Sequence, residues 1–150
     1  MKRIFFIVSA ILVLIAANGC NAAGASAGAP AVVQFGSMQL QINEILVGYN
    51  VPVACEDNQP VCDSARPGYK VFSLIFEPVD LPAGEHIPYE QLPVEVTIDT
   101  DASESVPVTW RSYNKETRRM ILSFEVPEAA SQYTLRVTGN EDLVLTPPSK

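Results

Sequence analysis

The sequence predicts an all-β domain, an antiparallel sandwich of about seven strands, and three observations carry that class. Apolar residues recur at every second position along much of the chain from Met38 to Val137, the period of a strand with one face in a core and one in water. Turn-forming clusters of Gly, Pro, Asn and Asp separate those stretches. Twelve prolines are scattered through the chain, and inside a helix each would remove a hydrogen bond and clash with the preceding turn. A small open barrel is the other way of closing such strands.

The elements follow in order. Residues 1–19 open with Lys2 and Arg3 and continue as an apolar run of fourteen residues from Ile4 to Ala17. A positive start, a short apolar core and small residues before a cut site are the parts of a signal peptide. The run is shorter than the roughly 20 residues that a membrane-spanning helix needs. Ala17-Asn18-Gly19-Cys20 resembles the lipobox of bacterial lipoproteins, in which the cysteine thiol receives a diacylglyceryl group and becomes the new N-terminus. The resemblance implies a lipid anchor at Cys20, with acyl chains holding the domain to the cell membrane or, in a host with two membranes, to the outer one. Asn21, where an Asp would favour retention, leans towards the outer membrane. Cleavage after Ala25-Ser26-Ala27 is the alternative, and it would release a soluble chain. Residues 20–30 continue as Asn-Ala-Ala-Gly-Ala-Ser-Ala-Gly-Ala-Pro after the cysteine, a tether of small residues spanning on the order of 15–20 Å.

Residues 31–150 then hold a single domain. Met38, Leu40 and Ile42 alternate with Gln39, Gln41 and Asn43. Tyr69 to Phe76 is denser and reads as a strand buried on both faces. Alternation returns in Val94, Val96 and Ile98, in Val106, Val108 and Trp110, and in Met120, Leu122, Phe124 and Val126. Tyr133, Leu135 and Val137 form another stripe, and Leu143 and Leu145 a short last strand. Turns fall at Pro67-Gly68, Pro82-Ala83-Gly84, Asp99 to Ser105, Tyr113 to Glu116, and Gly139-Asn140.

Pro67-Gly68-Tyr69-Lys70-Val71-Phe72 leading a buried strand, then Met120 to Pro127 followed by Tyr133-Thr134-Leu135-Arg136-Val137, resembles the telokin-like, immunoglobulin-like domain of many bacterial lipoproteins. The resemblance covers roughly Val33 to Thr138. It implies an immunoglobulin-like sandwich and brings no catalytic residues and no cofactor with it.

Three cysteines are an odd number for an exported chain. Lipidation of Cys20 leaves Cys55 and Cys62, for which a disulfide is the default in an oxidising compartment. Closing so small a loop would contribute roughly 2–3 kcal/mol. The pair is too close in sequence to bridge two sheets.

Little in the chain points to catalysis. His86 is the sole histidine, so a hydrolytic triad has one candidate base and no Gly-x-Ser-x-Gly nucleophile element to serve. The reading is therefore not an enzyme. Asp99, Asp101, Ser103 and Glu104 place oxygen ligands close together, as a hard cation such as calcium requires. Glu104 stands where the tight-turn glycine of an EF-hand belongs, and Trp110 where its closing glutamate belongs, so an acidic solvated turn competes with the metal reading. Glu56, Asp57 and Asp63 are open to the same two readings.

Removing Lys2 and Arg3 from ten basic residues leaves eight against 17 acidic ones, a net charge of −9. Such a body repels nucleic acid. Arg111, Lys115, Arg118 and Arg119 nevertheless gather around one predicted hairpin with Trp110 and Tyr113. A basic, aromatic tip suits an acidic envelope protein or an anionic polymer; the bland reading is a hairpin charged for solubility. The expectation is a membrane-tethered, non-catalytic interaction module facing the periplasm or cell exterior, with a calcium- or small-ligand-binding envelope protein as the alternative.

Overall fold

Nine strands in two antiparallel sheets make up the computed structural model, which describes residues 31–52, 63–82 and 84–147. In chain order they are β1 (Ala31–Phe35), β2 (Met38–Gly48), β3 (Tyr69–Pro78), β4 (Val96–Thr100), β5 (Val106–Pro107), β6 (Trp110–Asn114), β7 (Arg119–Pro127), β8 (Tyr133–Val137) and β9 (Leu143–Leu145). One sheet has the order β1-β2-β3-β7-β6 and the other β5-β4-β8-β9. The strands close as a sandwich, with the core between the sheets. Cys20, Cys55, Cys62, Glu56 and Asp57 lie outside the described residues, as do the predicted signal peptide and tether.

β3 sits at the centre of its sheet, between β2 and β7. Phe72, Leu74 and Phe76 enter the core, while Val71, Ser73 and Ile75 on the opposite face are also buried. The dense apolar run from Tyr69 to Phe76 thus gives the two-sided strand expected of it. Ser73 lies directly across from Ser123 of β7, and the two buried hydroxyls hydrogen-bond each other at 2.7 Å. Each supplies the partner the other would lack.

β2 is longer than its first alternating stretch. Its pairing with β3 slips between Ile42 and Glu44, leaving Asn43 as an extra residue. The slip is a β-bulge, and it resets which residues face inward. Leu40 and Ile42 face the core before it, and Ile45 and Val47 after it. Without the bulge Glu44 would have turned inward, at the cost of burying a carboxylate.

Two departures from the expected strands have clear causes. β1 was not among the predicted strands. It turns into β2 through a two-residue hairpin in which Phe35 pairs with Met38 and Gly36 has φ 61°. That left-handed geometry suits glycine at the first turn position. The single strand expected from Val106 to Trp110 is instead two. β5 pairs with β4 in one sheet, and β6 with β7 in the other. Pro107 has no N–H to extend a ladder, and Thr109 is drawn to β7 by its N–H on the Ser123 carbonyl at 2.9 Å. The Thr109 hydroxyl also accepts the Glu125 N–H. Nine described strands replace about seven for these reasons, and Val94 lies just ahead of β4.

Aromatic contacts join the layers. Phe72 of one sheet stacks on Tyr133 of the other, with ring centroids 4.2 Å apart, while within the first sheet Phe35 meets Phe76 edge-on at 5.3 Å. Such pairs contribute about 0.5–1.5 kcal/mol beyond their buried area. The Tyr133 hydroxyl donates back to the Ala130 carbonyl at 2.8 Å, and Lys70 Nζ donates to the same oxygen.

The free edge of β1 is met by one side chain. Gln34 N–H donates to Asn140 Oδ1, and Asn140 Nδ2 donates to the Gln34 carbonyl, both at 2.8 Å. The carboxamide thus stands in for one residue of a neighbouring strand, at an edge that would otherwise invite another chain. Asn140→Ala should lower the unfolding free energy by about 1–3 kcal/mol, with Asn140→Asp intermediate because it keeps the acceptor. Urea titration reads this, and an unchanged midpoint for Asn140→Ala would show that the edge does not depend on the clamp.

Candidate functional site

The connection from β3 to β4, residues 79–95, crosses from one sheet to the other, and the β6–β7 hairpin holds it there. Arg118 Nη2 donates to the Leu81 and Pro82 carbonyls at 2.6 and 3.1 Å. Arg111 Nη1 donates to the Glu90 carbonyl at 3.0 Å. Tyr113 stacks on Tyr89 at 5.5 Å and meets the His86 ring at 6.0 Å. Three of the residues expected at a partner surface therefore clasp a connector of their own chain. The Tyr113 hydroxyl and Arg118 Nε are buried with no hydrogen-bond partner among the described residues, so the grip comes from Nη2 and ring contact.

The hairpin turn has its own local logic. Asn114 Oδ1 accepts the N–H groups of Glu116 and Thr117, both at 2.9 Å, and Arg118 takes a left-handed φ of 58°. A side-chain-capped turn of this kind explains the Asn at its start. The left-handed residue brings the chain back into β7. Arg119 forms an ion pair with Glu77, just beyond the Phe76–Met120 pair that ends the β3–β7 ladder. Lys115 is exposed at the tip, and Trp110 is half-buried at the start of β6. The six residues share one hairpin, and Lys115 is the basic one that turns outward with no hydrogen bond or ion pair among the described residues.

The acidic turn is equally committed. Thr100 Oγ1 accepts the N–H groups of Ala102 and Ser103, and Thr100 N–H donates to the Ser103 carbonyl at 2.7 Å. Asp99 accepts the Ser105 N–H at 2.8 Å and pairs with Arg136 Nη1 at 2.6 Å. Asp101 turns elsewhere, to the Ser131 N–H at 2.9 Å and the Ser131 hydroxyl at 2.6 Å. It pins the turn to the β7–β8 connection. The Ser131 hydroxyl bond, more than any other influence, holds the Asp101 carboxyl below its ordinary value. Among the described residues no three His, Cys, Asp or Glu side chains gather as a metal site, and Asp99, Asp101, Ser103 and Glu104 do not converge.

Sequence reasoning passed over a cleft at the seam where the chain changes sheets. It measures about 290 Å³ and lies between residues 90–97 and the Pro107–Arg111 crossover. Leu92, Val94, Val96 and Val108 supply its apolar lining, each buried or half-buried against the core. Glu90, Glu95 and Arg111 are its exposed charges. The Glu95 carboxylate has no hydrogen-bond or ion-pair partner among the described residues, and that of Glu90 receives only a 3.3 Å bond from the Tyr89 hydroxyl. Pro107 was the available signal, since a proline between Val106 and Val108 marks a strand that cannot continue in a ladder.

Two outcomes follow. Arg118→Ala should destabilise the domain by about 1–3 kcal/mol through two lost charge-assisted bonds, whereas Lys115→Ala should leave it unchanged. Equal urea midpoints for the two variants would remove Arg118 from the clasp. Asp101 stabilises the fold above its unfolded value, about 3.9, because its native carboxyl titrates lower. That contribution disappears as the pH falls through the native value. Asp101→Asn should therefore melt earlier than wild type at pH 7 and converge with it in acid, and a gap constant down to pH 2 would contradict the assignment. The chain matched no protein-family model, no curated protein and no solved structure.

Proposed function

We propose that the chain is a lipid-anchored extracytoplasmic protein whose sandwich serves as a non-catalytic interaction module. The observation carrying this reading is the run from Ala17-Asn18-Gly19-Cys20 through ten small residues to Ala31, which is already the first residue of β1. Anchor, tether and folded domain follow one another with no chain to spare. Two acyl chains on one cysteine suffice for stable membrane attachment where one is marginal, and a tether of ten residues of this composition would leave the domain free to orient.

The point of attachment supports the same reading. A tether entering at β1 pulls on an edge strand, which would peel most readily. Both the β1–β2 ladder and the Asn140 clamp on Gln34 oppose that. An interaction role fits a domain whose basic hairpin braces a long connector, because that brace fixes the shape of the surface between the sheets. The acidic turn fits less well as a calcium site, since Asp99 and Asp101 are spent on Arg136 and Ser131.

The anchor is tested by intact mass of the chain purified from the membrane of an expressing bacterium. A product beginning at Cys20 with a diacylglyceryl adduct is expected, and an unmodified product beginning at Gly28 would overturn the anchor. The module is tested by crosslinking the tethered protein in cells. A reproducible partner is expected, and its absence with the domain folded at the membrane would reject the role.

A further inference from the structure

We infer that the seam cleft is a docking site for an extended peptide segment that carries an apolar side chain next to a basic one. The inference rests on the module reading and names the partner chemistry of that module. Size comes first. At about 290 Å³ the cleft falls at or below the lower end of ligand pockets, which run from about 300 to 1,000 Å³. It suits one or two side chains rather than a cofactor.

Its lining selects the chemistry. Leu92, Val94, Val96 and Val108 form the apolar part of the lining, backed by the core, beside Gln91, Thr97 and the charged groups, so an aliphatic side chain seated there is partly withdrawn from water. Two carboxylates and one guanidinium surround it. Arg111 is turned to the Glu90 carbonyl, while Glu95 has no counter-charge among the described residues. The local balance is negative, and the chain as a whole carries −7. A lysine or arginine beside the apolar residue meets attraction both at long range and at contact, whereas an acidic segment is repelled.

Position selects the shape. The cleft opens where β5 and β6, the terminal strands of the two sheets, meet at the crossover. A segment lying along this seam can remain extended and place alternate side chains inward, as peptides bound beside sheet edges do. The walls are held by the same clasp described above: Arg111 and Tyr113 tie residues 89–90 to β6. The site is therefore formed before a peptide arrives, which lowers the ordering cost of binding.

Trp110, the sole tryptophan, adjoins Arg111 in the chain and is the reporter. The mature chain is titrated with three blocked pentapeptides, Lys-Leu-Lys-Leu-Lys, Lys-Ser-Lys-Ser-Lys and Glu-Leu-Glu-Leu-Glu, following Trp110 emission and the amide spectrum. A saturable response to the first is expected, at least tenfold weaker for the other two. Glu95→Lys, an exposed change, should weaken the first peptide about tenfold with the melting temperature unchanged, and Val108→Asp should abolish binding. If Val108→Asp does not fold, Glu95→Lys decides alone. No saturation with the first peptide, equal binding of the acidic one, or indifference to Glu95→Lys overturns the assignment. Crosslinking in cells reads the module independently, so a partner captured through another face would leave the module standing while the cleft falls.

Discussion

Burial of β3 on both faces constrains the rest of the molecule, because a strand with no face for water must lie inside its sheet and be covered from above. Both of its edges are consumed, one by β2 and the other by β7. Phe72, Leu74 and Phe76 then require a second sheet opposite them, and β4, β8 and β9 supply it through Ile98, Tyr133, Leu135 and Leu145. The neighbours adapt to this central strand. β2 inserts Asn43 as a bulge so that its inward residues stay in phase with those of β3, and Ser123 places a small hydroxyl against Ser73 where a larger side chain would meet a buried polar group. The stack of Phe72 on Tyr133 brings the two layers into direct contact.

A sandwich assembled in this way has to carry chain from one layer to the other, and two such passages run beside the hairpin. One is residues 79–95, long and poor in regular structure; the other is the short step from Pro107 to Trp110. They lie side by side and leave the cleft between them. The basic and aromatic residues of the β6–β7 hairpin belong to this junction. Arg118, Arg111 and Tyr113 brace the long passage with charge-assisted bonds to carbonyls and with ring stacking. Such bonds are stronger than those between neutral groups, which suits a connector with few backbone bonds of its own. The acidic turn is held by the same economy of local pairing, with Asp101 fastening it to the β7–β8 connection.

In the proposed role these features act together. The lipid on Cys20 would fix the protein to a surface, the tether would let the domain turn, and the edge clamp at Asn140 would keep β1 closed to other chains under load. The recognition surface would then lie at the crossover, where apolar side chains stand beside the Glu95 carboxylate, which has no partner among the described residues, rather than on an open strand edge. Shape at that point is set by hairpin contacts, so a substitution in the hairpin would alter recognition by moving the connector.

The sequence by itself determined the class, most of the strands and the phase of their faces, because period-two alternation is a local property that any sheet must respect. Tyr69 to Phe76, Met120 to Val126 and Tyr133 to Val137 were legible for that reason. The β1 hairpin was legible in principle, since Gly36-Ser37 between apolar stretches is a two-residue turn signal. Only the tertiary structure decided that Val106 and Trp110 belong to different sheets, because alternation is the same whichever sheet a strand joins. It alone decided what the charges do as well. Arg111, Arg118 and Asp101 look like surface groups in the chain, and their partners, Glu90, Leu81 and Ser131, lie 21, 37 and 30 residues away. Composition records how many charges a chain has, but which of them are spent internally depends on distances that exist only once the sheets have packed.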